Sequence, residues 1–207
     1  MEDASPSGQF RSLCEIAALL LTGGAIVLAT SLGVPRYITD PACAAAWLIY
    51  VIASIAMDPS RTKRWGLRRD NLRAAALLGA PAFATMALAL CLYNVLRGWR
   101  PLPPWVGMVL IVYPIWALVQ QVLVQGIFVG NVRRMGAKGW AIVPVAAVLF
   151  GLAHAPEWRL VALVVPAAAV WTVIYLKRPN VLPLALAQGW LGTLAHFWVL
   201  RRHPFGL

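Results

Sequence analysis

Residues 104–130 read PWVGMVLIVYPIWALVQQVLVQGIFVG and contain no charged side chain. A helix that crosses the hydrocarbon core of a bilayer needs roughly 20 mostly apolar residues, and this stretch exceeds that length. Its apolar residues are continuous rather than alternating, which excludes a strand of a membrane β-barrel. The stretch therefore predicts a transmembrane helix. It also carries three amide side chains, Gln120, Gln121 and Gln125, which would lie inside the membrane.

Similar apolar stretches follow one another along the chain, which is 61% hydrophobic and only 12% charged. Soluble domains are about 45–50% apolar and about 25% charged, so most of this surface must face lipid. The predicted spans are residues 13–32, 41–57, 74–95, 104–130, 140–155, 160–176 and 181–200. The sequence thus predicts an all-α, polytopic transmembrane helical bundle of about seven spans. Residues 1–207 are expected to form a single integral membrane domain.

The charged residues predict an orientation, because 18 Lys and Arg outnumber 7 Asp and Glu. About twelve basic residues fall on the side of the N-terminus, including the cluster within residues 61–73, and about six fall on the other side. The positive-inside rule then predicts a cytoplasmic N-terminus. Abundant Arg, Ala, Leu and Trp favour the inner (plasma) membrane of a bacterium. Membrane lipid is an expected partner through its anionic headgroups, whereas nucleic acid is not, since no compact basic domain is present.

Polar side chains recur inside three of the predicted spans, at Gln120, Gln121 and Gln125, at His154, and at Gln188 and His196. Gln188, Gly192 and His196 follow at i, i+4 and i+8, which places them on one stripe of a helix. Polar groups at bilayer depth are costly and indicate a functional site. The alternative interpretation is a set of interhelical hydrogen bonds, each contributing about 0.6–2 kcal/mol.

The order of these landmarks resembles a known family. Gln120-Gln-Val-Leu-Val-Gln125-Gly126, then Phe150-Gly-Leu-Ala-His154, then Gln188-Gly-Trp-Leu-Gly192 is similar to the CAAX-protease and bacteriocin-processing (Abi-type) family of intramembrane proteases. That family carries Glu-Glu-x-x-x-Arg, Phe-x-x-x-His and His-x-x-x-Asn, each on its own helix. The Arg-Pro-Asn segment 178–180 and the Trp-Gly-Leu-Arg-Arg segment 65–69 also resemble it, so the protease-like core covers roughly residues 65–199.

The resemblance implies catalytic positions at Gln120, Gln121, His154 and Gln188, and a substrate cavity near Gln125, Phe150, Gly192 and His196. Among the catalytic positions only His154 keeps its family identity. An amide has no useful acid–base pKa, so Gln120 and Gln121 cannot take the proton of an attacking water. Because a general base contributes about 10²–10⁴ in rate, we expect catalysis to be impaired.

The first hypothesis is therefore a pseudoprotease that binds a membrane peptide, a prenylated peptide or a partner membrane protein, with no cofactor. One alternative is an active intramembrane endopeptidase using His154 with His196, with a divalent metal near the two histidines or with Glu157 as a replacement acid. Another is a non-enzymatic transport or assembly subunit. Whether the protein is an enzyme stays open. The first two hypotheses require the Gln120, Gln121, His154 and Gln188 side chains to converge at one cavity.

Overall fold

The computed structural model describes residues 6–201, in which every regular element is helical and no strand occurs. In chain order the helices are α1 (Pro6–Ser31), α2 (Arg36–Met57), α3 (Arg61–Arg64), α4 (Leu72–Leu96), α5 (Val106–Gln121), α6 (Gly130–Arg134), α7 (Gly139–Leu152), α8 (Trp158–Lys177) and α9 (Leu182–Ala195). Two π-helical stretches, Val122–Val129 and His196–Leu200, join α5 to α6 and extend α9. The all-α prediction is therefore confirmed.

Five helical rods within residues 6–201 are long and apolar enough to cross a membrane. They are Gly8–Ser31, Arg36–Met57, Leu72–Leu96, Val106–Arg134 and Trp158–Lys177, and Gly139–Leu152 is a shorter apolar helix. Each predicted span coincides with a helix of the structure, so the prediction of a helical membrane bundle is confirmed. Helix α7 ends earlier than predicted, at Leu152, because Pro156 disfavours helical geometry just before it.

The centre of the bundle lies around the π-helical stretch Val122–Val129, α8 and α9, whose buried side chains share one hydrophobic cluster. Ile127, Val129, Thr172 and Thr193 are completely inaccessible there. Helices α1 and α2, by contrast, leave most of their side chains exposed, as expected for helices that face lipid on several sides. The centre of the bundle is therefore closely packed, whereas its periphery faces lipid.

A buried polar cluster joins the periphery to the centre at one end of the bundle. Glu15 in α1 is 8% exposed and accepts hydrogen bonds from the Tyr50 hydroxyl and from Asn131 Nδ2, the latter at 2.7 Å. Arg61 Nη1 lies 3.9 Å from Glu15 Oε1. Charges in a low-dielectric interior are stable only when they are paired and hydrogen-bonded. The cluster therefore holds α1 against α2, α3 and α6.

A second polar cluster holds the start of α9 against the connection before α4. Asn180 is inaccessible and donates to Arg68 O and Asn71 Oδ1, both at 2.8 Å. Its own Oδ1 accepts from the Leu182 backbone N–H at 3.0 Å. The two segments that resemble the protease family outside its catalytic motifs, residues 65–69 and 178–180, thus meet in space. Their contact fixes where α9, which carries Gln188, begins.

Replacing Glu15 with Ala should destabilise the protein by about 1–3 kcal/mol, because the Tyr50 and Asn131 donors lose their acceptor. Arg61 loses one carboxylate partner and keeps Asp58, whose Oδ2 lies 3.4 Å from its Nε. Thermal unfolding of the detergent-solubilised protein would measure this loss. The double variant Glu15→Leu/Arg61→Met should recover much of the stability, since both charges are then absent. Equal stability of Glu15→Ala and the wild type would contradict a structural role for this pair.

Candidate functional site

Helices α5 and α9 approach each other closely at a proline and a glycine. A Cβ atom at Gly189 would lie 2.6 Å from Pro114 Cα and N, so no other residue fits there without movement. Pro114 has no N–H to donate to the carbonyl of Leu110, one turn earlier in α5. The Trp190 indole N–H donates to that Leu110 carbonyl at 3.1 Å. Steric fit and one interhelical hydrogen bond therefore fix the two helices side by side.

On the C-terminal side of this contact, the backbone that continues α5 changes from α-helical to π-helical geometry at Val122. The change falls directly after Gln120 and Gln121, and Gln125 lies inside the π-helical stretch. Its wider turns close i→i+5 hydrogen bonds and are frequent at functional sites. The wider turn also changes the rotation per residue, so Gln121 and Gln125 do not share a partner despite their i,i+4 spacing.

Three amide side chains form a continuous hydrogen-bonded chain between α5 and α9. Gln121 Nε2 donates to Gln188 Oε1 at 2.6 Å, and Gln188 Nε2 donates to Gln120 Oε1 at 2.6 Å. Gln121 is 1% exposed. These are the positions where the resemblance implies two glutamates and a histidine. The structure therefore brings the three positions together but joins them through neutral amides.

Gln125 lies on the other side of the same rod and contacts α8 instead of α9. Its Nε2 donates to Thr172 Oγ1 at 3.1 Å, and the Thr172 hydroxyl donates to Ala168 O. Within residues 6–201, the Oε1 atoms of Gln121 and Gln125 are buried and accept no hydrogen bond. These two positions would hold a glutamate and an arginine in the resembled family. Neutral amides avoid burying those charges, at the cost of two unpaired acceptors.

The two histidines have the same local geometry. His154 Nδ1 hydrogen-bonds to Phe150 O at 2.8 Å, and His196 Nδ1 hydrogen-bonds to Gly192 O at 2.8 Å. A carbonyl oxygen only accepts, so each Nδ1 carries the proton. In His154 this leaves Nε2 as the ring nitrogen that can accept a proton or a hydrogen bond from a ligand.

A large cavity of about 1410 Å³ brings the histidines together with one end of the amide chain. Gln120, Phe150, His154 and His196 line it, together with residues from α1, α2 and the connection after α7. Arg36 Nη2 donates to the carbonyls of Ala153 and Ala155 at 2.6 and 3.1 Å, tying α2 to that connection. The cavity thus has mostly apolar walls with a few polar side chains, as ligand sites usually do. These side chains, called the polar patch, are Arg36, Asp40, Gln120, His154 and His196.

The remaining predicted site residues lie behind the cavity wall. Gln121, Gln125, Gln188 and Gly192 are not part of the lining. Of the four catalytic positions expected at one cavity, Gln120 and His154 line it, whereas Gln121 and Gln188 connect to it through the hydrogen-bonded chain that ends at Gln120. Gly192 packs against Tyr113, because a Cβ atom at position 192 would lie 2.7 Å from Tyr113 Cε1. The Tyr113 ring also meets the His196 ring edge-on, with the ring centroids 5.8 Å apart. Tyr113 therefore occupies the space into which an asparagine at position 192 would extend.

Sequence analysis missed the side chains that support the site. Tyr113, Thr172 and Arg36 all contact predicted site residues or their connection. Tyr113 lies in an apolar stretch and Thr172 is an ordinary polar residue in an apolar helix, so neither gives a distinct sequence signal. Within residues 6–201, no group of three or more His, Cys, Asp and Glu could hold a metal ion.

Comparison with known proteins supports the resemblance. Residues 99–194 match the family described as type II CAAX prenyl endopeptidase Rce1-like, which confirms the predicted relationship to CAAX proteases over this region. The matched region contains Gln120, Gln121, His154 and Gln188 and ends before His196. No curated protein and no solved structure matches the chain. This match and the apolar helices of the chain together indicate a multi-pass membrane protein that is similar to CAAX proteases.

Replacing Gln188 with Ala should break both bonds of the amide chain and leave Gln120 and Gln121 unpaired. Interhelical hydrogen bonds in membranes contribute about 0.6–2 kcal/mol each, so a destabilisation of about 1–3 kcal/mol is expected. Thermal unfolding in detergent would measure it. Thr193→Ala is a matched control on the same helix, because the Thr193 hydroxyl donates to Gly189 O within α9. A smaller loss for Gln188→Ala than for this control would contradict the chain's role.

Replacing Gly189 with Ala should separate α5 and α9, because the new methyl group collides with the Pro114 backbone. Overpacking of this kind costs about 1–3 kcal/mol. Gly107→Ala in α5 is the control, since a Cβ atom there meets nothing within 4 Å. A lower melting temperature for Gly189→Ala alone is expected. Similar melting temperatures for the two variants would argue against close packing at Gly189.

Proposed function

We propose that this protein is a pseudoprotease of CAAX-protease type. It binds a hydrophobic membrane peptide in its cavity and hydrolyses that peptide far more slowly than an active protease would. The observation that carries the proposal is the amide chain through Gln121, Gln188 and Gln120. It occupies the positions where hydrolysis would need a base to activate water. Three neutral amides bonded to one another can donate and accept hydrogen bonds, but they cannot take up a proton.

The cavity supports peptide binding as the retained part of the function. Its walls are mostly apolar, and Gln120 and His154 are among the side chains on them that can form hydrogen bonds. A peptide segment in a membrane must pair its backbone N–H and C=O groups inside protein, since lipid offers no partner. A prenylated peptide is the specific ligand to try first, because the matched family is described by prenyl endopeptidase activity.

The proposal includes a location and an orientation. The protein would lie in the plasma membrane of a bacterium with its N-terminus in the cytoplasm, since the basic residues cluster in the connections on that side. Anionic headgroups would contact those connections.

A second candidate function is weak hydrolysis by the two histidines. His154 and His196 line the same cavity, and His154 Nε2 is the ring nitrogen left to accept a proton. In this version His154 would act as the general base on a water beside the bound peptide, with His196 assisting. This candidate function requires that replacing His154 abolishes cleavage of the bound peptide.

A direct test uses a quenched fluorogenic peptide with a farnesylated cysteine near its C-terminus, added to purified protein in lipid nanodiscs. The wild type is expected to bind the peptide saturably without cleaving it. The triple variant Gln120→Glu/Gln121→Glu/Gln188→His should gain cleavage, because a restored base contributes about 10²–10⁴ in rate. Adding Gly192→Asn to the triple variant should help only when Tyr113 is also made smaller, because the two side chains compete for the same space.

Two controls separate the candidates. His154→Ala in the triple variant should abolish the restored cleavage, whereas Thr193→Ala should leave it unchanged. Cleavage by the wild type that disappears in His154→Ala would overturn the pseudoprotease proposal and favour the two-histidine enzyme. No saturable binding of either a farnesylated or an unmodified hydrophobic peptide would overturn both.

A further inference from the structure

Most residues that line the cavity come from one half of the bundle. Helix α1 contributes residues from 19 to 31, which is its second half, and α2 contributes residues from 36 to 47, which is its first half. Helix α7 contributes its second half, followed by the connection after it and the first turn of α8. The rod of α5 contributes residues from 113 to 128, so the cavity extends along it past the middle of the bundle. Since α1 and α7 end in this half while α2 and α8 begin there, the cavity opens at this end of the bundle.

The basic connections lie at the other end. Residues 58–71 join α2 to α4, residues 135–138 join α6 to α7, and residues 178–181 join α8 to α9. They and the adjoining helix ends hold most of the 18 Lys and Arg residues. The buried Glu15 cluster and the Asn180 cluster also lie at that end. The molecule therefore has a basic, tightly tied end and a cavity-bearing end.

The cavity is open to the outside of the bundle. Leu20, Leu28 and Trp158 line it and are nevertheless 45%, 60% and 63% exposed. Exposed apolar side chains at this depth face lipid rather than water. A ligand can therefore reach the polar patch from within the bilayer, between α1, α2 and the connection after α7.

We propose that the cavity takes its hydrophobic peptide from the extracytoplasmic half of the bilayer. This inference rests on the proposed function for the class of ligand, but its statement about sidedness is independent of it. The positive-inside rule assigns the basic end to the cytoplasm, which leaves the cavity on the opposite side. The ligand is then a peptide segment anchored in the outer leaflet, and a peptide confined to the cytoplasmic leaflet is excluded.

Peptide is favoured over lipid as the occupant because of the polar patch. Gln120, His154, Arg36 and Asp40 all line the cavity, among residues that are mostly apolar. An acyl chain has no group for them to bond, whereas every residue of a peptide carries a donor and an acceptor that lipid leaves unpaired.

The first experiment tests sidedness by cysteine labelling in spheroplasts of a bacterium expressing the full chain. Cys14, Cys43 and Cys91 are first replaced with Ser. Ser31→Cys then reports on the cavity-bearing end, and Arg69→Cys on the basic end; both positions are exposed. A membrane-impermeant maleimide should label Ser31→Cys in intact spheroplasts and Arg69→Cys only after lysis. The reverse pattern would overturn the proposed sidedness whether or not the protein cleaves peptides.

The second experiment tests the ligand with single-spanning apolar peptides that carry a benzophenone in either their outer or their inner half, inserted in vesicles with the protein. Crosslinking from the outer-half probe is expected. Gly23 lines the cavity, and a Cβ atom there meets nothing within 4 Å, so Gly23→Phe can fill the space without distorting the helix. It should reduce crosslinking about tenfold, as a loss of about 1.4 kcal/mol would. Gly107→Phe, in open space outside the cavity lining, should leave it unchanged.

Three outcomes would overturn the inference. The first is equal crosslinking by the inner-half probe, and the second is no effect of Gly23→Phe. The third is displacement of the outer-half probe by a phospholipid with photoreactive acyl chains, if that lipid also crosslinks to the same residues. This third outcome would mean that the cavity binds lipid. The fluorogenic cleavage assay is read separately, so a gain or absence of hydrolysis does not affect these results.

Discussion

Lipid offers no hydrogen bonds, and this single constraint organises the molecule. Every polar side chain at bilayer depth must find its partner inside the protein or face a cavity. Gln121, Gln125 and Glu15 each pair with a residue on another helix. The Oε1 atoms of the two glutamines are the exception, since within residues 6–201 they accept no hydrogen bond. Because each partner lies on a different helix, these bonds decide which helices touch and at what depth. The arrangement of the candidate site follows from the same bonds.

Amides at the positions where the resembled family carries charged groups have a coherent physical effect. Buried ion pairs need complete hydrogen bonding to repay their desolvation, and the chain joining Gln121, Gln188 and Gln120 avoids that cost while keeping α5 and α9 connected. What it gives up is a group that can take a proton. In contrast, Glu15 and Arg61 do form a buried charged pair at the basic end, where the pair holds α1 against α3.

The fold was largely predictable from the sequence, because continuous apolar stretches permit only helices in a membrane. The order of Gln120, His154 and Gln188 along the chain also indicated that three helices converge, because each residue lies on a different predicted helix. The contacts of Gln125 could not be predicted, since the π-helical stretch changes its direction and leaves no simple trace in composition. Glu15 was missed for another reason: its partners Tyr50, Arg61 and Asn131 are distant in sequence, and a lone carboxylate gives no periodic signal.

The contact between Pro114 and Gly189 depends on shape alone, whereas the site beside it depends on polar groups. Selection can therefore act on the two separately. A substitution at Gln120, Gln121 or Gln188 leaves the contact between Pro114 and Gly189 in place, so α5 and α9 keep their register. The polar groups of the site can therefore change while the steric contact beside them still positions both helices.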